Sequence, residues 1–292
     1  MSQLMIFGAG YSGKAIAKSL QDTIGRICGT TRSAEHAQKL LSLGISPFIF
    51  DGDTLSETLR RELATVTHLI QSIAPGKTGD PLLRICSGDL KSLMPQLQWV
   101  AYLSTVGVYG NHDGAWVDEE TPCKPVSARS LERVQAEQAW QMASDGADAP
   151  LSILRLSGIY GPGRNGFINL EKGTARRLIK PGQVFNRIRV EDIGAATAFL
   201  ISQNVGGIFN VTDDEPAPPQ DVVTFAAKMM GLALPPEQAF ETAELSAMAR
   251  SFYGENKRVS NRKLRDMGYV FHYPDYRIAL RQLWESGGWK DE

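Results

Sequence analysis

Gly8-Ala9-Gly10-Tyr11-Ser12-Gly13 decides the fold, because it follows the apolar run Leu4-Met5-Ile6-Phe7 and passes directly into a helical pattern. A strand that turns sharply at Gly8, exposes bare backbone at Gly10 and packs its helix closely at Gly13 aims a helix N-terminus at a dinucleotide pyrophosphate. Tyr11 and Ser12 add donors at that point. Ala15, Ile16, Ser19 and Leu20 then form a narrow stripe of small and apolar residues at helical spacing, suited to a helix lying tight on a sheet. The glycines alone are a weak motif, and the strand before them and the helix after them give it weight.

The second strand, Arg26 to Thr31, ends in Thr30-Thr31-Arg32-Ser33. An NAD site places Asp or Glu about 20 residues after the glycines, where it accepts from the ribose 2′-hydroxyl. Asp22 comes too early and Glu35 lies beyond the strand. Arg32 holds the position instead, flanked by hydroxyls that suit a phosphate, so NADP(H) is expected over NAD.

Apolar runs continue to alternate with helical segments through the first half, as parallel strands joined by crossover helices would. The expected strands are Leu4–Phe7, Arg26–Thr31, Ser46–Phe50, His68–Ile73, Trp99–Ser104 and Ser152–Leu156. Ligands on such sheets bind at the carboxyl ends of the strands. The residues to watch are therefore Asp51-Gly52, Ala74-Pro75-Gly76, Thr105-Val106-Gly107 and Ser157-Gly158-Ile159, although turns favour glycine in any case. From Gly161-Pro162-Gly163 the rhythm changes. A basic stretch carries Arg164, Arg176, Arg177, Arg187 and Arg189, which either receive an anionic group or simply cover a surface. The fold class expected is α/β, a Rossmann doubly wound parallel sheet with a smaller α-rich C-terminal substrate lobe. Residues 1–160 would form the dinucleotide-binding domain, with a return contribution from about 186–212, and 161–185 with 213–292 the lobe.

With 292 residues, 42% of them hydrophobic, the chain is long enough for one large domain or two joined ones. A net charge of −1 gives no electrostatic reason to expect nucleic acid, and no apolar run approaches a membrane span of about 20 residues. No basic or cleavable segment precedes the first strand, so a cytoplasmic location is expected. Cys28, Cys86 and Cys123 are widely separated and lack metal-ligand spacing, as do the four histidines, so no metal is expected. His68 sits inside an apolar strand and reads as a packed residue.

Several segments in order resemble the extended short-chain dehydrogenase/reductases, the NAD-dependent epimerase/dehydratase superfamily. Besides the glycine turn they are Tyr102-Leu103-Ser104-Thr105-Val106-Gly107-Val108-Tyr109-Gly110, then Leu154 to Gly163, Arg189-Val190-Glu191-Asp192-Ile193 and Phe209-Asn210-Val211. The resemblance implies that Thr105 holds a substrate oxygen, that Ser157 and Ile159 lie beside the nicotinamide, and that Asp51 and Gly52 lie beside the adenine. One departure matters. The family's catalytic helix carries Tyr-x-x-x-Lys followed four residues later by a frequent Glu, and alignment on Glu137 puts Arg133 and Arg129 at the Lys and Tyr positions.

Positions 129, 133, 136, 140 and 143 share one helix face, expected to point inward unless the arginines simply extend to water. A guanidinium with pKa above about 12 cannot replace a phenol as acid or base. Arg133 is then expected to donate to the nicotinamide ribose and Arg129 to orient an anionic group. Val106-Gly107 stands where the family's dehydratases carry Asp-Glu, which argues against dehydration. The expected function is an oxidoreductase without Tyr-Lys chemistry, acting on a small polar or anionic substrate. The alternative is a cofactor-binding sensor or scaffold. The site residues expected to hold the cofactor are Gly8, Gly10, Tyr11, Ser12, Gly13, Thr31, Arg32, Asp51, Gly52, Ala74, Arg133, Ser157 and Ile159, with Thr105, Arg129 and Arg133 toward the substrate.

Overall fold

The computed structural model describes residues 2–290, apart from the side chains of Ala247 and Met248. Strand β1 (Gln3–Phe7) has its last four residues fully buried, and the glycine turn carries the chain into α1 (Tyr11–Leu20). In chain order there follow β2 (Arg26–Thr31), α2 (Ala34–Ser42), β3 (Ser46–Ile49), α3 (Glu57–Leu63), β4 (His68–Gln71), the short helices α4 (Pro81–Ile85) and α5 (Leu90–Leu93), and β5 (Trp99–Thr105). Next come β6 (Trp116–Val117), α6 (Ala128–Ala147), β7 (Leu151–Leu156), β8 (Gly158–Tyr160), α7 (Gly166–Glu171), β9 (Arg177–Ile179), β10 (Arg187–Arg189), α8 (Val190–Gln203) and β11 (Gly207–Val211). The chain closes with α9 (Pro219–Met229), β12 (Glu237–Ala239), α10 (Ala247–Phe252), β13 (Arg258–Val259), α11 (Arg262–Asp266) and α12 (Tyr276–Glu285).

Seven strands form one sheet in the order β11-β7-β5-β4-β1-β2-β3, with parallel pairing of β1 to β2 and β4, β2 to β3, and β4 to β5. The order reverses between β1 and β4. That reversal opens a crevice at the carboxyl end of β1, where the glycine turn sits. All six expected strands are present within one or two residues of their expected ends. Helix starts follow local chemistry: Ser33, Ser56, Asp80, Asp89, Asn165, Ser246 and Asp275 each cap a helix through the side chain. Gly10 caps α1 with no side chain at all.

The chain divides into two compact units, the first comprising Met1–Val108, Ala128–Arg155 and Ile193–Phe209. Its core under the sheet includes Met5, Phe7, Leu59, Leu69, Val100, Tyr102 and Trp140. The second unit comprises Tyr109–Ser127, Leu156–Asp192 and Asn210–Glu292, with Phe167, Ala226, Tyr276, Leu280 and Leu283 among its core. Residues 109–127 and 156–160 thus pack in the second unit, whereas the sequence reading assigns them to the first domain. The reason is pairing: β6 pairs with β13, and β8 with β10. The second unit is α-rich as expected, and it also holds three two-stranded parallel pairs.

Candidate functional site

In the first unit the three turn glycines have three distinct reasons to be glycine. Gly8 has φ of +81°, and a Cβ there would lie 2.9 Å from the Ile73 side chain. Its N–H donates to Thr30 Oγ1 at 2.9 Å, and the next amide, that of Ala9, donates to the Thr30 carbonyl, which ties the turn to β2. A Cβ on Gly13 would lie 3.1 Å from both the Gly8 carbonyl and the Ile6 side chain, so this glycine lets α1 press onto β1. Gly10 differs: a Cβ there would meet nothing nearer than the Gly8 carbonyl at 4.0 Å. The fold does not need Gly10 to be bare. A ligand passing over the turn does.

Thr31 closes β2, and Arg32 follows it immediately, exposed and with its side chain in no hydrogen bond or ion pair among the described residues. Ser33 then caps α2 by accepting from His36 N–H. The nearby acid, Glu35, pairs with Lys39 at 2.9 Å, which holds its carboxyl below its ordinary range. An uncommitted guanidinium at the end of β2 is a geometry suited to a phosphate. Asp51 and Gly52 follow β3, and there the side chain is already engaged. Asp51 Oδ1 accepts from the N–H groups of Asp53 and Thr54, which lowers its pKa, while Arg84 donates to the Gly52 carbonyl at 2.7 Å. Ala74, beyond β4, is exposed.

At the carboxyl end of β5, Thr105 Oγ1 accepts from Gly107 N–H at 3.1 Å, so its own hydroxyl proton remains available to an acceptor. Arg133 projects from α6 to the same strand, with Nη1 donating to the Leu103 carbonyl at 2.6 Å and to the Tyr102 hydroxyl at 3.2 Å. Its charge also lies 5.7 Å from the centre of the Tyr102 ring. The hydroxyl pKa of Tyr102 is pushed up to about 12, mainly by burial and against the pull of Arg133. Ala136, Trp140 and Ala143 are buried as the helix periodicity requires, but Arg129 is exposed in the first turn of α6 and does not join the inward face expected of it. A long charged side chain one turn from a helix start reaches water at little cost, and Arg129 does so.

Sequence reasoning uses Glu137 only as an alignment marker, and the structure gives it a partner. Glu137 is buried and held by Arg155, whose Nη2 donates at 2.8 Å, and by Ser104 Oγ at 2.5 Å. This network locks α6 to β5 and β7, and through β5 fixes Thr105 and the carbonyl that holds Arg133. Asp80 is likewise buried, accepting from Gln71 Nε2 at 2.8 Å and capping α4, with its pKa raised chiefly by burial. A polar residue within an apolar strand, such as Gln71 or Arg155, was the available sign of a buried network.

Ser157 and Ile159 belong to the second unit. Ser157 is buried, with its amide on the Val211 carbonyl and its hydroxyl without a partner. Ile159 lies in β8 opposite Ile188. Of the arginines, Arg177 pairs with Glu237 at 2.7 Å and Arg189 with Glu191 at 2.6 Å. A Tyr-x-x-x-Lys spacing does occur at Tyr253 and Lys257, but Tyr253 ends α10 and the spacing leaves the helix there. Lys257 Nζ is buried on the Gly110 carbonyl and Glu255, which makes it structural.

A crevice of about 510 Å³ in the first unit, bordered by Asp80 and Leu83 of the α4 region and by Ala139 and Ala143 of α6, includes none of the expected site residues. Among the described residues no group of histidines, cysteines and acids is arranged to hold a metal, no helix is long and apolar enough to cross a membrane, and the three cysteines form no disulfide. His68 is partly buried, which lowers its pKa, with Nδ1 against Thr67 Oγ1.

No protein-family model matches the chain. Protein YeeZ of Escherichia coli K12 is 26% identical over 300 residues, an overlap that spans 94% of this chain and 97% of YeeZ. A solved structure of a functionally unknown conserved protein from Silicibacter pomeroyi is 44% identical, covers 98% of this chain and 99% of its own, and superposes with a TM-score of 0.87. A candidate NAD-dependent epimerase/dehydratase from Methylobacillus flagellatus is 27% identical, with 98% of both chains covered and a TM-score of 0.70. Human epimerase family protein SDR39U1, solved with NADPH, shares the fold at a TM-score of 0.73 and 16% identity, with 97% of this chain and 99% of its own covered.

Proposed function

The chain is an extended short-chain dehydrogenase/reductase of the NAD-dependent epimerase/dehydratase superfamily, and on that premise we propose that it binds NADP(H) and acts as an oxidoreductase on a small polar or anionic substrate. The observation that carries the cofactor assignment is the pairing of open space over Gly10 with an uncommitted Arg32 at the end of β2. Gly8, Gly10 and Gly13 with the amides of Tyr11 and Ser12 would take the pyrophosphate, and Thr31 and Arg32 the 2′-phosphate. Asp51, Gly52 and Ala74 would border the adenosine half through backbone and turn shape. The cofactor supplies a hydride when bound.

The protein's own share is orientation. Thr105, its oxygen already accepting from Gly107 N–H, donates to a substrate oxygen. Arg133 keeps Nη1 on the Leu103 carbonyl and offers its remaining donors to the ribose hydroxyls. Neither group is an acid or base near neutral pH, so turnover should lack the ionisation of a phenol–ammonium pair between about pH 6 and pH 10. A second reading, an NADP(H)-binding sensor, draws support from exposed Arg129 and from the missing Tyr-x-x-x-Lys spacing on α6.

Incubation of C4-deuterated NADPH with a panel of carbonyl compounds separates the two. The oxidoreductase reading predicts deuterium in a reduced product, and it predicts that Arg133→Ala weakens NADPH binding by about 1.5–3 kcal/mol, roughly tenfold to a hundredfold, while Arg129→Ala leaves it unchanged. Tight NADPH binding with no deuterium transferred to any compound favours the sensor. Normal NADPH affinity in Arg133→Ala removes that arginine from the cofactor site.

A further inference from the structure

Strand β6 is two residues long, and its alternation buries Val117 at 2% exposure while leaving Trp116 in water at 60%. A large planar ring is thereby held out on a short strand, which β13 fixes by pairing with it. Trp116 borders a crevice of about 350 Å³ that lies wholly within the second unit, and whose wall also includes Asp214, Ser260, Arg262, Arg265 and Asp266. That volume suits a small molecule.

The charges in this crevice divide into those already matched and those left open. Asp214 pairs with Arg265 and accepts from Asn261 Nδ2 at 2.7 Å. Asp213, on the same wall, is 1% exposed, with Oδ1 accepting from Glu215 N–H. Arg262 and Asp266, by contrast, are exposed, and their side chains form no hydrogen bond or ion pair among the described residues. They stand four residues apart on α11, which makes them neighbours on one helix face with opposite charges. Ser260 completes the polar side. Its oxygen accepts from Arg262 N–H at 3.3 Å, which leaves its own proton free to donate. One open cation, one open anion and one open aromatic ring therefore border a single cavity.

We propose that this crevice binds a free aromatic α-amino acid. The ligand carboxylate meets the Arg262 guanidinium and the Ser260 hydroxyl, its ammonium meets Asp266, and its ring lies against Trp116, where paired rings attract beyond the area they cover. Charge decides the class. A phosphate or a plain carboxylate would face the Asp266 charge with nothing to offset it, and a plain amine would face that of Arg262 in the same way. A neutral polyol would leave both charges to water, whereas a zwitterion satisfies both. This binding stands apart from the oxidoreductase reading, since every residue named is in the second unit and none is assigned to the cofactor.

Calorimetric titration of the full chain with L-phenylalanine tests the site, alongside 3-phenylpropionate, phenethylamine, L-alanine and D-glucose, which lack in turn the ammonium, the carboxylate, the ring and all three. The expected result is saturable one-to-one binding of L-phenylalanine, with each comparison solute at least about tenfold weaker. Each variant should erase one of these differences. In Arg262→Gln phenethylamine should bind as well as L-phenylalanine, in Asp266→Asn 3-phenylpropionate should do so, and in Trp116→Ala the advantage over L-alanine should disappear. All three side chains are exposed, so the variants keep the fold. No saturable binding of L-phenylalanine, equal or tighter binding of any comparison solute, or unchanged affinity in Arg262→Gln or Trp116→Ala would overturn the proposal.

Discussion

Gly10→Val abolishes dinucleotide binding and leaves the fold standing. Gly10 has φ of −85°, which any residue adopts, and its ψ of −146° lies at the edge of the extended region, so a branched side chain costs about 1–3 kcal/mol there. No protein atom lies in its way closer than 4.0 Å. What the valine fills is the approach of the pyrophosphate to the N-terminus of α1, where the amides have no side-chain cap to compete for them. The expected loss of NADPH affinity exceeds about a hundredfold, with the melting temperature lowered by only several degrees. Gly8→Val is the control with the opposite signature, since φ of +81° and contact with Ile73 make it a stability lesion first. Unchanged affinity in a folded Gly10→Val protein would place the ligand elsewhere.

Arg155→Met should destabilise the first unit by about 3–5 kcal/mol, the typical cost of stranding one member of a buried ion pair. The pair is almost sealed, with the Arg155 and Glu137 side chains 4% and 7% exposed, and among the described residues Glu137 would be left with Ser104 as its side-chain donor. Replacing both partners, as Arg155→Met with Glu137→Leu, should recover much of the loss, because no charge is then buried alone. Urea unfolding of the two single variants and the double variant measures this coupling. Additive losses would mean that the two side chains act independently and that the network does not hold α6 to the sheet.

The first unit was legible because its determinants are local. A strand, a glycine turn and a small-residue helix lie within Leu4 to Leu20, and each later strand is a short apolar run bounded by turn residues. What could not be read lies between distant segments. β13 meets β6 across about 140 residues, and β12 meets β9 across about 60, through two- or three-residue strands with no periodicity to detect. The partners of Glu137 escaped for the same reason, as Arg155 comes from a separate strand. Asp51 sits at the expected strand end, yet it spends its carboxylate on its own turn, a local bond that competes with any ligand role for the side chain. Helix spacing placed Arg129 inward, but spacing describes a helix interior and Arg129 is in the first turn.

Arg32 is expected to bind the 2′-phosphate beside the glycine turn. Equilibrium titration of the purified protein with NADPH and with NADH, repeated for Arg32→Ala, tests it most directly. A charge-assisted contact to the 2′-phosphate is worth about 1.5–3 kcal/mol, so NADPH should bind roughly tenfold to a hundredfold tighter than NADH. The variant should lose most of that difference while keeping its affinity for NADH. Equal binding of the two dinucleotides, or a preference that survives in Arg32→Ala, would contradict it.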